Sequence, residues 1–294
     1  MTDPILSKSP TARPTQAEKA ATFRALHARP GAFVIPNPWD AGTARLLASL
    51  GFEALATTSL GLANMLGRGD SNGSISAAEV IENARVIAAA THLPVNADLE
   101  NCYADDPKSA ALTIRRAAEA GVVGASIEDY AGEGALSGKG GGIYDFSLAV
   151  ERVQAAAEMA RSLPVPVLLT ARAENLIRGR VDLDDTIRRL QAFEKAGADV
   201  LYAPGLKDLA TIRTVVASIG RPLNVVMSAA DPKLTVAQLS EAGVKRISVG
   251  GALSKLALTA FMQGAREMAE QGGFTWVAKA LPTKDFKDVF DRWG

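Results

Sequence analysis

One unit recurs along this chain: a helical segment that ends in glycine, two or three residues, then a short apolar run. It appears as Leu50-Gly51-Phe52-Glu53 before Ala54–Ser59, and as Ala120-Gly121 before Gly124–Asp129. It returns as Ala196-Gly197-Ala198-Asp199 before Val200–Pro204, and as Ala242-Gly243 before Arg246–Gly251. Glycine just past a helix end takes up the left-handed cap that side chains resist, so each instance marks a helix-to-strand turn. At Leu93-Pro94 and Leu163-Pro164 proline ends the helix instead. With Phe33–Asn37, Val95–Glu100, Val165–Ala171 and Leu223–Met227 added, eight strands are predicted, all of them short and nearly continuously apolar. That is the pattern of a parallel sheet covered by helices on its outer face. Ser76-Ala77-Ala78-Glu79 reads as a capping box and Pro107 suits a first helical position.

Eight strand–helix units in 294 residues predict an α/β fold, a (β/α)8 TIM-type barrel. A doubly wound sheet is the alternative, but it calls for a glycine-rich phosphate turn after the first strand. Asn37-Pro38-Trp39-Asp40 is not one. Residues 1–20 read as a polar arm with Pro4, Pro10 and Pro14, residues 21–273 as the barrel, and 274–294 as a helical tail. In that tail Trp276 is followed by Phe286, Phe290 and Trp293 at helical spacing, an apolar stripe suited to a contact between subunits.

Composition narrows the function classes. Lys+Arg and Asp+Glu are equal at 32 each, so no bulk charge points to nucleic acid or a membrane surface. No stretch approaches the roughly 20 apolar residues of a spanning helix, and the polar N-terminus lacks a signal-peptide core. One cysteine, Cys102, allows no internal disulfide, so a reducing, cytoplasmic setting is expected. The only histidines, His27 and His92, fall at predicted helix ends, which argues against a histidine zinc site or a Ser-His-Asp triad.

Charged residues close three consecutive strands: Asp98-Leu99-Glu100, Ile127-Glu128-Asp129 and Thr170-Ala171-Arg172. In a parallel barrel those ends converge on one face. On a strand, Asp98 and Glu100 share a side, and two such carboxylates repel unless a cation or proton intervenes. Oxygen-only donors suit Mg²⁺, with Mn²⁺ as a substitute. The bland reading is a set of solvated acids capping nearby helices. Arg172 ends an apolar run, so it either binds an anion bidentately or pairs with Glu128 or Glu174. Thr57-Thr58-Ser59 offers hydroxyls and N–H groups to an oxyanion, and Val249-Gly250-Gly251 has the look of a barrel phosphate cup. Ala131–Ile143 holds six glycines directly after Glu128-Asp129 and reads as a lid over the site or as a plain surface loop.

Taken in order, these motifs resemble the isocitrate lyase and phosphoenolpyruvate mutase superfamily from about Asn37 to Leu253. The family's Asp-x-Asp and Gly-Tyr-Gly correspond to Asp98-Leu99-Glu100 and Cys102-Tyr103-Ala104. Its Ile-Glu-Asp is Ile127-Glu128-Asp129, and its Ala-Arg is Ala171-Arg172. Its Leu-Gly-x-x-Asp gating segment is Leu66-Gly67-Arg68-Gly69-Asp70, and its Ser-Gly turn is approximated by Thr58-Ser59. The resemblance implies that Asp98, Glu100 and Glu128 hold Mg²⁺ or its water shell. It implies that Arg172 binds the substrate carboxylate, that Thr58, Ser59 and Leu60 hold another substrate oxygen, and that Asp70 and Lys139 are further catalytic candidates. A homodimer or homotetramer that exchanges its C-terminal helix is implied as well.

Departures from the family select among its reactions. The lyases carry a catalytic cysteine and a histidine in the lid, whereas here the lid reads Leu136-Ser137-Gly138-Lys139-Gly140. Cys102 replaces a glycine beside the metal motif and is not that cysteine. The mutase and phosphonopyruvate hydrolase lid sequence is missing too, and Pro204 stands where the lyases place a glutamate. The expected activity is therefore a Mg²⁺-dependent lyase, hydrolase or decarboxylase that cleaves a C–C bond beside the oxo group of a small 2-oxo acid through an enolate. P–C chemistry on a phosphonate is the alternative, and a barrel that binds a 2-oxo acid without turning it over is the other class.

Overall fold

The computed structural model describes residues 13–70, 73–132 and 142–292. Its eight strands are β1 (Phe33–Ile35), β2 (Leu55–Ala56), β3 (Val95–Ala97), β4 (Gly124–Glu128), β5 (Leu168–Arg172), β6 (Val200–Tyr202), β7 (Leu223–Val226) and β8 (Arg246–Ser248). All pair in parallel in the order β1-β8-β7-β6-β5-β4-β3-β2. The seam between the end strands is bridged where Ala56 N–H donates to Pro36 O (3.1 Å) and Asn37 Nδ2 to Thr57 O (2.9 Å). This is the (β/α)8 barrel expected from the repeat.

The repeat's chemistry holds locally. Gly51, Gly121, Gly197 and Gly243, each one residue past a helical cap, all have φ between 83° and 105°. Side chains avoid that region, so glycine is needed at each turn. The capping box of Ser76 and Glu79 opens α4 (Ala77–Ala90), and Asp106 caps α5 (Pro107–Glu119) with Pro107 at its first position. Several strands are shorter than their apolar runs. β5 begins at Leu168, three residues after Val165, and the Thr57–Ser59 segment leaves the sheet so that Ser59 starts helix α3 (Ser59–Leu66).

Helix α1 (Gln16–Ala28) begins inside the segment expected to be a loose arm. Its buried Ala20, Phe23 and Leu26 form a separate core cluster with Phe33, Ile35, Ala54, Ala56 and Val123, which lie in or beside the starts of β1, β2 and β4. α1 thus closes the barrel at the end opposite the charged strand termini. The larger core fills the space between strands and the outer helices. At the other end of the chain, α11 (Thr283–Asp291) lies against α2 (Ala41–Ser49) of its own chain, with Val289 buried and Phe290 packed on the core, while Phe286 stays exposed. Trp293 lies outside the described residues. Among the described residues no helix is long and apolar enough to cross a membrane.

Candidate active site

Three of the expected residues, Arg172, Asp98 and Glu128, meet directly at the mouth. Arg172, the last residue of β5, donates from Nη1 to Asp98 Oδ1 at 2.7 Å. Its Nη2 lies 3.0 Å from Glu128 Oε2 and 2.8 Å from Glu174 Oε1, and Nε donates to the same Glu174 oxygen. Burial works against its charge, but Glu128, Glu174 and Asp98 outweigh it and hold the guanidinium well above its usual range. Glu128 is raised as well, which favours its neutral form: burial lifts its carboxyl well above the usual carboxylate range despite Arg172, and the charges of Glu174, Asp98 and Glu100 add to the rise. Arg178 joins the cluster, 3.3 Å from Glu174 and stacked 3.7 Å above the Tyr130 ring.

The alternation of the strand sorts the Glu128-Asp129 pair. Glu128 faces inward. Asp129 turns outward, where it accepts from Glu174 N–H and from the buried Arg189 of α7 (Leu183–Lys195) at 3.0 Å. Glu174, two residues past Arg172, is the acid that the motif reading treated only as a pairing partner. It is buried as deeply as Glu128 and completes the cage around the guanidinium.

Glu100 reaches the site by a route different from the expected one. β3 stops at Ala97, so Asp98 and Glu100 do not share a strand face. Glu100, Cys102 and Tyr103 all have positive φ, at 48°, 59° and 56°, an uncommon state for residues with side chains. The loop is held from behind by Arg152 of α6 (Phe146–Ser162), almost wholly buried, which donates to the carbonyls of Asn101, Ala104 and Asp105 and lies 4.3 Å over Tyr144. Tyr103 Oη donates to Glu100 Oε1 at 2.8 Å. Burial nevertheless pushes the Glu100 carboxyl up to about 7, with the Asp98 and Asp70 charges contributing. The buried Cys102 thiol is pushed up to about 12 by desolvation and is no nucleophile.

On the far side of Asp98, Thr57 Oγ1 accepts from Asp98 N–H at 2.8 Å, and Ser59 N–H donates to Asp98 Oδ2 at 3.0 Å. The amide expected to face a substrate oxygen is therefore occupied by the carboxylate, at the positive end of α3. Thr58 is the N-cap of α3. Asp70 is brought in from its turn. Burial raises its carboxyl above the usual range, Asp98 adds to this, and Oδ1 is buried without a hydrogen-bond partner. The glycine pair after β8 does not form an open cup, because the N–H groups of Val249 and Gly250 both donate to Asn37 Oδ1. Lys139 and most of the expected lid lie outside the described residues.

These groups open on a cavity of about 270 Å³ that runs from the mouth into the barrel. Thr58, Ser59, Leu60, Asp70, Asp98, Arg172, Glu174 and Arg178 line its upper part, and Pro204 its wall. Its lower part is polar as well, with Asn96, Ser126, Tyr202, Asn224, Arg246 and Ser248. Sequence reasoning missed Tyr202, Asn224 and Arg246. The available signal was register: Glu128, Arg172, Tyr202, Asn224 and Arg246 are successive neighbours across β4 to β8 and so face the same way.

A barrel whose strand ends carry an arginine caged by acids, over a cavity sized for a small metabolite, has the architecture of a small-molecule enzyme. The phosphoenolpyruvate phosphomutase family model matches residues 23–269. A Burkholderia cenocepacia J2315 protein provisionally assigned as a lyase/mutase is 52% identical, with a TM-score of 0.88 over 94% of this chain and 96% of that one. An oxaloacetate decarboxylase of Ectopseudomonas mendocina is 28% identical over 87% of this chain and 86% of its own length. The crystal structure of 2,3-dimethylmalate lyase, a member of the same superfamily, is 25% identical with a TM-score of 0.78, covering 95% of each chain. The chain belongs to the phosphoenolpyruvate mutase/isocitrate lyase superfamily and is an enzyme of that type.

Proposed function

We propose that the protein is a Mg²⁺-dependent lyase that cleaves a C–C bond beside the oxo group of a small 2-oxo acid, with oxaloacetate-like acids as the substrate class. The observation that carries this reading is Arg172, a carboxylate-binding side chain held at the cavity mouth by Asp98, Glu128 and Glu174. The relatives that act on oxaloacetate and on dimethylmalate support it.

The acids present fit a hard divalent cation. All donors are oxygen, and Asp70 Oδ1 is buried without a hydrogen-bond partner, while Glu128 Oε2 faces only the Arg172 guanidinium at 3.0 Å. Among the described residues no three His, Cys, Asp or Glu side chains form a ready-made cage. Mg²⁺ keeps several waters and needs only one or two direct carboxylates, so it requires no such cage. Asp98 would be the direct or nearest ligand, with Glu100 and Glu128 holding its waters. When bound, the ion supplies Lewis-acid stabilisation of charge on the substrate's oxo oxygen.

The chain's own residues do the rest. Substrate entry exchanges ion pairs: Arg172 turns Nη1 from Asp98 to the incoming carboxylate. Glu174 and Glu128 keep the guanidinium in place while it does so. The amides at the start of α3 and the Asp98 they orient lie on one side of the cavity.

Pyruvate release from oxaloacetate, phosphonopyruvate and methylisocitrate, with Mg²⁺ and with chelator, tests the reading. Mg²⁺-dependent release from oxaloacetate is expected. Release from phosphonopyruvate alone would favour P–C chemistry. Thermal stabilisation by these acids with no release from any would make the protein a binder. We also infer a homo-oligomer built through the C-terminal region, where Leu256, Phe261, Phe274, Val277 and Leu281 are exposed. A monomeric mass by light scattering would refute it.

A further inference from the structure

The lower half of the cavity holds a cation that the reading above does not use. Arg246, the first residue of β8, is 3% exposed. Its Nε donates to Asn224 Oδ1 at 2.8 Å and its Nη2 to Thr170 Oγ1 at 2.9 Å, and Nη1 has no hydrogen-bond partner. Among the described residues no carboxylate lies within ion-pair distance of it, and the acids nearest along its row are engaged by Arg172. An arginine stays charged in a protein interior, and a buried charge without a counter-ion is strongly disfavoured. Burial, together with the charge of Arg172, holds it down at about 10, still protonated at neutral pH.

Register explains how the side chain comes to face the cavity. Arg172, Tyr202, Asn224 and Arg246 are consecutive partners across β5 to β8. Three strand spacings separate the two arginine backbones, roughly 14 Å along the wall, and both side chains line the same cavity, which shortens that distance. Asn224 is itself fixed, since its Nδ2 donates to Ser248 Oγ at 3.1 Å while its Oδ1 accepts from Arg246. The guanidinium is thus held on two of its nitrogens, while the third is buried without a partner.

We propose that Arg246, positioned by Asn224 and Thr170, is the subsite for a second carboxylate, so that the barrel selects dicarboxylic over monocarboxylic acids. The proposal rests on the reading of Arg172 as the holder of the first carboxylate. One guanidinium anchors each end of the substrate, and the bond to be broken lies between them, under Asp98. Neutral polar groups, rather than acids, surround Arg246, so the ligand itself supplies the missing negative charge.

Malate and lactate test this without depending on turnover. They differ by one carboxylate, and neither has the oxo group that an enolate requires. Calorimetric titration of the full-length protein in Mg²⁺ is expected to give malate at least about tenfold tighter binding than lactate. Arg246→Met is expected to remove that preference to within about twofold while lactate binding stays, and Arg246→Lys to keep part of it. Equal binding of the two acids by the wild type would overturn the proposal, and so would a preference that survives in Arg246→Met. The wild-type comparison decides the matter even if a variant fails to fold. A malate preference without pyruvate release from any 2-oxo acid would sink the lyase reading and leave the subsite standing. Release from oxaloacetate with no malate preference would do the reverse.

Discussion

The two ends of the cavity carry the same side chain in opposite company. At the mouth, Arg172 is surrounded by Asp98, Glu128 and Glu174, and acids outnumber the cations they touch. At the floor, Arg246 has only amide and hydroxyl partners. The mouth is therefore a place where a cation is in demand, and the floor a place where an anion is. A buried guanidinium contributes stability only when its partners would otherwise be stranded, so the two arginines should behave differently when removed.

The largest effect is expected at the mouth. Asp98→Asn keeps the shape but removes the charge that orients both the cation and Arg172, and kcat for pyruvate release is expected to fall by about 10²–10³. Steady-state kinetics over a Mg²⁺ series would check it, and wild-type kcat would remove Asp98 from the chemistry. Arg172→Met takes the guanidinium away from the buried Glu128 and Glu174 and the partly buried Asp98, so urea unfolding should show a loss of about 3–5 kcal/mol. Gly124→Ala probes the floor from another side: an added Cβ would lie 2.6 Å from both Asn96 Oδ1 and Phe23 Cε1, and overpacking of that kind costs about 1–3 kcal/mol.

His27 sharpens the floor's electrostatics. Its ring sits edge-on between Phe23 and Phe33 with Nε2 unpartnered, and burial, reinforced by the Arg246 charge, lowers it to about 3. The unfolded chain protonates near pH 6.5, so folding is opposed as pH falls below that value, and the loss levels off near pH 3. On the order of 2 kcal/mol should separate wild type from His27→Phe between neutral pH and pH 4, after the ring's partial exposure is discounted. The buried acids with raised values act in the opposite sense, so the difference between the two proteins is the measurement that counts. Parallel curves would mean that the imidazole is already protonated or solvated. The smallest effect is expected for Arg246→Met. It strands no acid, so its unfolding free energy should change by only about 1 kcal/mol, the size of lost neutral hydrogen bonds. A loss as large as that of Arg172→Met would erase the distinction between mouth and floor.

Much of this was legible in the chain itself. The four helix-ending glycines and the eight apolar runs specify a barrel because backbone conformation and burial act locally. Asp98, Glu128 and Arg172 were legible because a charged residue closing an apolar strand has few places to go. Glu100 was found for the wrong geometric reason: a strand alternation was assumed, where a left-handed loop braced by Arg152 delivers the side chain. Arg152 lies about fifty residues away on another helix, and no local pattern connects the two. Ser59 N–H and the Val249–Gly250 amides read as free donors, yet Asp98 and Asn37 occupy them.

Lys245-Arg246 shows where the division falls. As sequence it is an ordinary basic pair at the start of a strand, and strand alternation sends the two side chains to opposite faces. Lys245 is outside, donating to the carbonyls of Arg29 and Gly31. The sequence by itself determined that one of the pair would face in, that a parallel barrel would form, and that acids and an arginine would gather at its C-terminal rim. Only the closed barrel decided which arginine meets acids and which meets none. Strand register sets cross-barrel neighbours, and it emerges only when all eight strands are paired.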